Sequence, residues 1–396
     1  MKHESNFLSG TVKALVTAAA TAALPAYAQS SITFYGVADD AITYVSNQKG
    51  HSNLYLRQGN LYASKFGLKG SEILGGDTKA IFVLESGFDL NNGDAASSGS
   101  IFNRQAYVGL ANSHFGSATL GRQYTPWFLF LGPLSSVSFL TGAGGAHPGD
   151  IDGMDTTVRA NSAAMYVSPE WRGLQAAGMY AFGGIAGNPG RGQTISLALR
   201  YSHGPFSLAA GYLQMDNAFT SSTSAAFDSS SSGSFNDSVV NQGYLTARSM
   251  RNAALAGNYD FGSVRLGLMY SNVRYLPGSR SLFVDTATFD TYGTYARWQI
   301  EPAVDLAAGV SYTLASRSNG ITNAARYTQI SMKQGYRLSK RTGLYVVEAW
   351  QHASGQTLDS SGEIVNAAPA VGDSQNLTAS STHNQFVGML GIDMAF

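Results

Sequence analysis

Asn384-Gln385-Phe386-Val387-Gly388-Met389-Leu390-Gly391-Ile392-Asp393-Met394-Ala395-Phe396 is the stretch that decides the fold. Phe386, Leu390, Ile392, Met394 and Phe396 keep to one parity, and Met389, Gly391, Asp393 and Ala395 to the other. One face is greasy and the other small or polar, which is the period of a strand. In a soluble sheet such a strand is an open edge and an aggregation hazard. A closed barrel removes that edge by pairing the last strand with the first. The rest of the chain must then supply the other strands.

Its composition permits this. Charged residues make up 13% of the 396, against about 25% in an ordinary soluble domain. The 45 glycines exceed the usual ~7%. Mean hydropathy is -0.06, and no apolar run of ~20 residues follows Ala28, so no membrane helix is predicted. Low charge, many glycines and aromatics, and neutral hydropathy together fit a barrel that hides an apolar face by alternation. The formal net charge of zero excludes bulk attraction to nucleic acid. The absence of cysteine excludes disulfides and cysteine-ligated metals, and suits an oxidising compartment.

Residues 1–28 read as an address. Lys2 and Lys13 precede an apolar run from Ala14 to Leu24, and Ala26-Tyr27-Ala28 is a small-x-small cleavage signal. The run is too short to span a bilayer. The expectation is an exported chain, 29–396, that forms one barrel.

Alternation then recurs along that chain. Ser31 to Tyr44 sets Phe34, Ile42 and Tyr44 against Tyr35, Asp39 and Thr43. Asp40 falls on the greasy face, where an acid against hydrocarbon is costly, so this wall is expected to meet another subunit. Leu56 to Gly70 reads as one strand with Lys65 and Lys69 inward, and Lys79 to Phe88 returns after the Gly75-Gly76 turn. After Arg159 the same rhythm runs to the end, with Glu348 an exception on the greasy face. Short turns alternate with long polar connections such as Asp216 to Met250 and Ser354 to His383. That asymmetry belongs to an outer-membrane barrel. The count is about sixteen strands of ~10 residues, enough to enclose an aqueous channel.

Between Tyr124 and Val158 the rhythm stops. Pro126, Pro133 and Pro148, a cluster of glycines and Asp150, Asp152 and Asp155 replace it. A segment this long without alternation is functional or disordered, and Trp127-Phe128-Leu129-Phe130-Leu131 argues against disorder. It needs burial, and the concave space available is the lumen.

Several stretches in order resemble the trimeric general porins of Gram-negative outer membranes. They are Ser31-Ile32-Thr33-Phe34-Tyr35-Gly36-Val37, Lys65-Phe66-Gly67-Leu68-Lys69-Gly70-Ser71-Glu72, the Lys79–Asp89 strand, Arg104-Gln105-Ala106-Tyr107-Val108-Gly109-Leu110, Leu120-Gly121-Arg122-Gln123-Tyr124 and the terminal Phe396. The resemblance implies an all-β, transmembrane antiparallel barrel of sixteen strands, a homotrimer, and a constriction loop (about 124–158) folded into the lumen. It implies a basic wall of Lys65, Arg104 and Arg159 facing loop acids among Asp150, Asp152 and Asp155. Lys65 stands where the family usually has Arg. Asp40 and Arg122 are assigned to the trimer seam, and Phe396 to recognition by the barrel-assembly machinery. The surroundings implied are outer-membrane lipids and lipopolysaccharide.

Catalytic and metal motifs are weak. The histidines show no zinc-binding spacing. His147 near Asp150 could form a hydrolytic dyad, but no Gly-x-Ser-x-Gly setting is present. Gly187-Asn188-Pro189-Gly190-Arg191-Gly192 lacks the Lys-Ser/Thr of a phosphate loop and reads as a loop tip. The expected function is passive diffusion of small hydrophilic solutes and ions, with weak anion preference and no cofactor, metal or nucleic acid. The alternatives are a substrate-specific channel for an anion or organic acid and, in another class, a barrel enzyme or adhesin.

Overall fold

The computed structural model describes residues 30–97, 99–156, 158–218, 238–373 and 378–396. The expected leader, residues 1–28, lies outside the described residues. The wall is a single antiparallel sheet. Its first half holds β1 (Ser31–Gln48), β2 (His51–Gln58), β3 (Lys65–Gly75), β4 (Thr78–Gly87), β5 (Gln105–Asn112), β6 (Gly116–Tyr124), β7 (Arg159–Val167) and β8 (Leu174–Ala181). Then come β9 (Thr194–His203), β10 (Phe206–Asp216), β11 (Ser249–Asp260), β12 (Val264–Leu276), β13 (Ala287–Glu301), β14 (Val304–Ala315), β15 (Arg326–Arg337) and β16 (Thr342–Ser354). After a small hairpin, β17 (Gln356–Leu358) and β18 (Ile364–Asn366), β19 (Asn384–Ala395) completes the wall.

β19 pairs with β1 from Val37↔Ala395 to Val45↔Val387, which closes the barrel. Gly36 and Phe396 extend the seam by exchanging backbone hydrogen bonds of 3.0 Å in both directions. The Phe396 ring lies over Gly36 and against Phe34, with centroids 5.7 Å apart. A Cβ on Gly36 would overlap that ring, so the closing contact requires glycine.

Leu56 to Gly70 is not the single strand that alternation predicts. β2 and β3 lie end to end beside β1, broken by residues 59–64. The two segments share one place in the wall, so the barrel has sixteen staves. The cause is a carboxylate. Asp39, fully buried, accepts the backbone N–H groups of Asn60, Leu61 and Tyr62 at 2.9–3.0 Å and the Tyr345 hydroxyl at 2.7 Å. The Ser64 hydroxyl donates to the Asp39 carbonyl at 3.1 Å. Those backbone groups would otherwise lack partners, so a local bulge is stable where period alone asks for a strand.

The outer face is apolar as expected, with Phe34, Val108, Leu120, Leu268 and Leu390 all more than half exposed. Glu348 does lie on this face, where it accepts a hydrogen bond of 3.1 Å from Gln334 of the neighbouring strand.

The non-alternating segment folds inward. Thr125 caps α1 (Pro126–Leu131) through Phe128 N–H, and Pro126 occupies the first turn, where a missing N–H costs nothing. α2 (Val137–Gly145) follows at 101°. Trp127, Phe130 and Leu131 pack on inward alanines of β8–β11, Ala177, Ala198, Ala209, Ala254 and Ala256. Gly211 of β10 makes room for Leu131 and Trp127. α2 is held on the opposite wall by a row of glutamines. Gln329, Gln351 and Gln385 are register partners on β15, β16 and β19, all buried. Gln329 donates to Gly144 O (2.9 Å) and Ala146 O (2.7 Å) and accepts from Gly372 N–H (2.9 Å). Gln351 bonds both backbone groups of Ala370, and Gln385 accepts from Val371 N–H.

The long connections are less solvated than their polar composition predicts. Val240, Tyr244, Ala247, Leu358 and Val371 are buried at the lumen mouth, with Tyr244 among Tyr275, Phe283 and Phe289. Residues 219–237 lie outside the described residues.

Two outcomes follow from these contacts. Gly36→Val is expected to lower barrel stability by about 1–3 kcal/mol through overpacking, read as an earlier midpoint in denaturant unfolding of the detergent-folded barrel; an unchanged midpoint refutes the role given to the Phe396 ring. Gln351→Ala leaves the Ala370 amide and carbonyl unpaired, at about 1–3 kcal/mol each. The expected result is faster proteolysis within 124–158 and noisier single-channel current.

Candidate functional site

The segment from Thr125 to Val158 crosses the lumen, with α1 against β8–β11 and α2 against β14–β16; the side facing β3–β7 is called the gap below. Inward positions on that wall carry the predicted basic residues, and the structure brings all three together. Lys65, at the start of β3, has its Nζ 3.6 Å from Glu85 Oε2. Arg104 Nε donates to Glu85 Oε1 at 3.0 Å, and its Nη2 donates to the Tyr124 hydroxyl at 2.7 Å. Arg159 Nη2 donates to the same hydroxyl at 3.3 Å, with its guanidinium 5.0 Å from the Tyr124 ring centroid. The Tyr35 hydroxyl completes the array by donating to Glu85 Oε2 at 2.9 Å. Arg104 and Arg159 are buried, whereas the Lys65 side chain is 27% exposed. Of the three, Lys65 presents its charge most directly to the water in the gap.

The loop acids separate into two groups. Asp155 is half-buried beside Gly142, and the charges of Arg159, Arg104 and Asp373 all act on it. Burial, and then the negative charge of Asp373, push its pKa up to about 6. Asp150 is buried, its Oδ1 accepting the Asp155 N–H at 3.0 Å. Asp152 is fully buried behind the loop. His147 Nδ1 lies 2.6 Å from its Oδ2, and the Ser271 hydroxyl donates to the same oxygen at 2.6 Å. Burial alone would raise the Asp152 carboxyl; the His147 and Ser271 contacts outweigh it and hold the pKa below the usual range. Asp152 therefore anchors the loop to β12 and does not line the gap.

Sequence reasoning missed two participants. Arg57 of β2 is inward and buried, with Nη2 3.5 Å from Asp373 Oδ1. Asp373 arrives on the long connection after β16, and its N–H donates to Gly142 O at 3.0 Å. Arg57 was legible, since it shares the inward parity of Lys65 whether or not the strand is broken, but it lies outside the stretches that carry the family resemblance. Nothing local to Asp373 marks it. Asp40 and Arg122 stand apart from the gap on the outer face. Asp40 accepts its neighbour's Ala41 N–H at 2.9 Å, and Arg122 donates to Asn103 O at 2.7 Å and to the Asn161 side chain. Among the described residues no group of His, Asp and Glu has metal-binding geometry.

A family profile described as Gram-negative porin matches residues 14–356. An outer membrane porin of Bordetella pertussis is 30% identical over 272 residues, 62% of this chain and 65% of that protein's length. Outer membrane porin protein 32 of Delftia acidovorans is 30% identical over 273 residues, covering 64% of this chain and 74% of the relative. Among solved structures, the anion-selective porin from Comamonas acidovorans shares the fold, with a TM-score of 0.67 at 22% identity over 93% of this chain and 100% of that one. A closed barrel with an infolded segment and this degree of shared sequence belongs to the Gram-negative porin family, and its place is the outer membrane.

Proposed function

We propose that solutes cross this barrel passively through the gap between the infolded segment and the β3–β7 wall, filtered by size and by a transverse field. Arg57, Lys65, Arg104 and Arg159 supply the positive side, and Asp155 and Asp373 the negative side, with Glu85 embedded among the cations. Rings of charged side chains at a wet constriction set ion selectivity in this way. The observation that carries the reading is the lumen-crossing segment itself, fixed to two walls, with its charged side toward β3–β7. Lys65, the most exposed of these cations, meets the water of the gap, which supports a weak anion preference; the anion-selective porin of the same fold is in keeping with it.

The functional unit in this reading is a homotrimer with Asp40 and Arg122 on its seam, exported with residues 1–28 as a cleaved leader and inserted by the barrel-assembly machinery through Phe396. No covalent chemistry is assigned. His147 bonds Asp152 through Nδ1, and its Nε2 is buried with no partner among the described residues, so the dyad is closed to substrate.

Planar-bilayer recording tests the reading. Three-step closures are expected for the trimer, and zero-current potentials in a KCl gradient should lie on the anion side. A cation preference would sink the charge assignment. Lys65→Glu is expected to move the potential toward cations at unchanged single-channel noise. The pH dependence has a definite sign. Above pH ~6 Asp155 is ionised; as pH falls through about 6 it takes a proton, and the gap loses a negative charge. Anion preference should therefore rise on acidification, and Asp155→Asn should abolish the step. A current that saturates with one carboxylate solute, and with no other, would favour the substrate-specific alternative.

A further inference from the structure

Three cations of the lumen take no part in the gap, and they stand in one row. Arg265 of β12, Arg297 of β13 and Lys333 of β15 share the inward parity of the buried Tyr295. The register carries the row from Arg265 to Arg297, across Ala307 of β14, to Lys333. It lies near the strand ends joined by short turns, which is the periplasmic end in this architecture. Phe139, at the start of α2, reaches the row from the infolded segment. Its half-buried ring has its centroid 5.7 Å from the Arg265 guanidinium, 5.3 Å from that of Arg297 and 5.1 Å from the Tyr295 ring. The next residue, Leu140, sits over Gly309, where a Cβ would overlap it, so the wall itself fixes where the Phe139 ring lies.

The charges of this row do not balance. Arg265 and Arg297 are direct register partners, and like charges placed opposite each other on a sheet destabilise it. Two acids answer the three cations. Asp260 pairs with Arg265. Asp305 is shared, its Oδ2 lying 2.9 Å from Lys333 Nζ and 3.6 Å from Arg297 Nε. A Cβ on Gly335 would overlap this carboxylate, so glycine gives Asp305 its seat beside Lys333. The closer contact goes to Lys333, while Arg297 donates to a neutral acceptor, the Gln299 side chain, at 2.6 Å. One positive charge is left over, and it rests on Arg297. The Arg265 and Arg297 side chains are also the open ones, 36% and 32% exposed, against 10% for Lys333.

We propose that Arg265, Arg297 and Phe139 form a lumenal retention site for an aromatic monocarboxylate. The inference rests on the diffusion reading for access of the solute to the lumen, and adds to it a solute class and a place. A carboxylate set between the two guanidiniums accepts paired hydrogen bonds from them and removes their mutual repulsion. The single surplus charge matches a monoanion. An aromatic body on that carboxylate comes beside Phe139, at the offset or tilted distances that ring pairs prefer, and within reach of the guanidinium faces. An aliphatic acid gains the ion pair without the ring contact, and a neutral aromatic amide gains the ring contact without the ion pair.

The test uses the full-length mature barrel refolded in dodecyl maltoside, with fluorine NMR of 4-fluorobenzoate as the probe. Saturable binding is expected, displaced by benzoate and not by acetate or benzamide at equal concentration. Arg297→Gln removes the surplus charge and leaves the Lys333–Asp305 and Arg265–Asp260 pairs in place; affinity should fall about tenfold or more. Phe139→Leu should weaken benzoate toward the level of acetate. Acetate competing as well as benzoate with the unaltered barrel overturns the aromatic assignment, and benzamide competing as well overturns the ionic one, without recourse to any variant. Unchanged binding by Arg297→Gln overturns the location. Failure of the unaltered barrel to bind the probe, while bilayer recordings still show stepwise closures and an anion-side potential, overturns this site and leaves the diffusion reading standing. A barrel that conducts no ions would overturn both.

Discussion

An irregular segment inside a barrel must have its backbone polar groups paired wherever it touches the wall and excludes water. Strands satisfy one another; a loop cannot. The row of Gln329, Gln351 and Gln385 meets that demand. A carboxamide offers a donor and an acceptor together, so it can stand in for a neighbouring strand. The three lie in register across β15, β16 and β19, and the Gln351 amide also donates to Gln329 Oε1 at 2.7 Å. The same row that fixes Gly144 and Ala146 of the infolded segment fixes Ala370, Val371 and Gly372 of the later connection. Asp373, the next residue, thereby comes to rest beside Asp155.

On the other wall the fixing force is apolar. Trp127 and Leu131 are fully buried against alanines and a glycine that replace the larger residues an open lumen could hold. Burial of one such side chain is worth about 1.5–3 kcal/mol, while a net hydrogen bond contributes about 0.5–1.5 kcal/mol. Grease therefore supplies the larger share of the attachment energy, and the glutamines supply register. Together they fix the segment to two walls of the lumen.

Parity made the wall legible, because one face of every strand must meet hydrocarbon and the other water. The inward placement of Lys65 and the outward placement of Asp40 and Glu348 all came from that single rule. It failed where a tertiary contact overrides local preference. The break between β2 and β3 depends on Asp39, whose carboxylate collects amides from a segment some twenty residues later. Period cannot register that. The ranking of Asp150, Asp152 and Asp155 was equally closed to sequence, since the three lie within six residues of polar, glycine-containing chain. Ser271 on a remote strand claims Asp152 for the wall. The buried part of the long connections escaped notice for the opposite reason: a few apolar residues, such as Val240 and Tyr244, are diluted among serines.

The charges at the gap are not independent of one another. Arg104 and Arg159 both donate to one tyrosine hydroxyl, so two guanidiniums are held close in a buried place. Unit charges 4 Å apart repel by about 4 kcal/mol at an effective dielectric of 20. Glu85 offsets this by bonding Arg104 and lying near Lys65, while the Tyr124 ring face takes the Arg159 guanidinium. Glu85 thus belongs to the positive wall as its counter-ion. Its removal would add formal positive charge and also release Arg104 from one of its two anchors. Selectivity in this barrel therefore depends on which charges meet water, and a sum over the lining residues does not predict it.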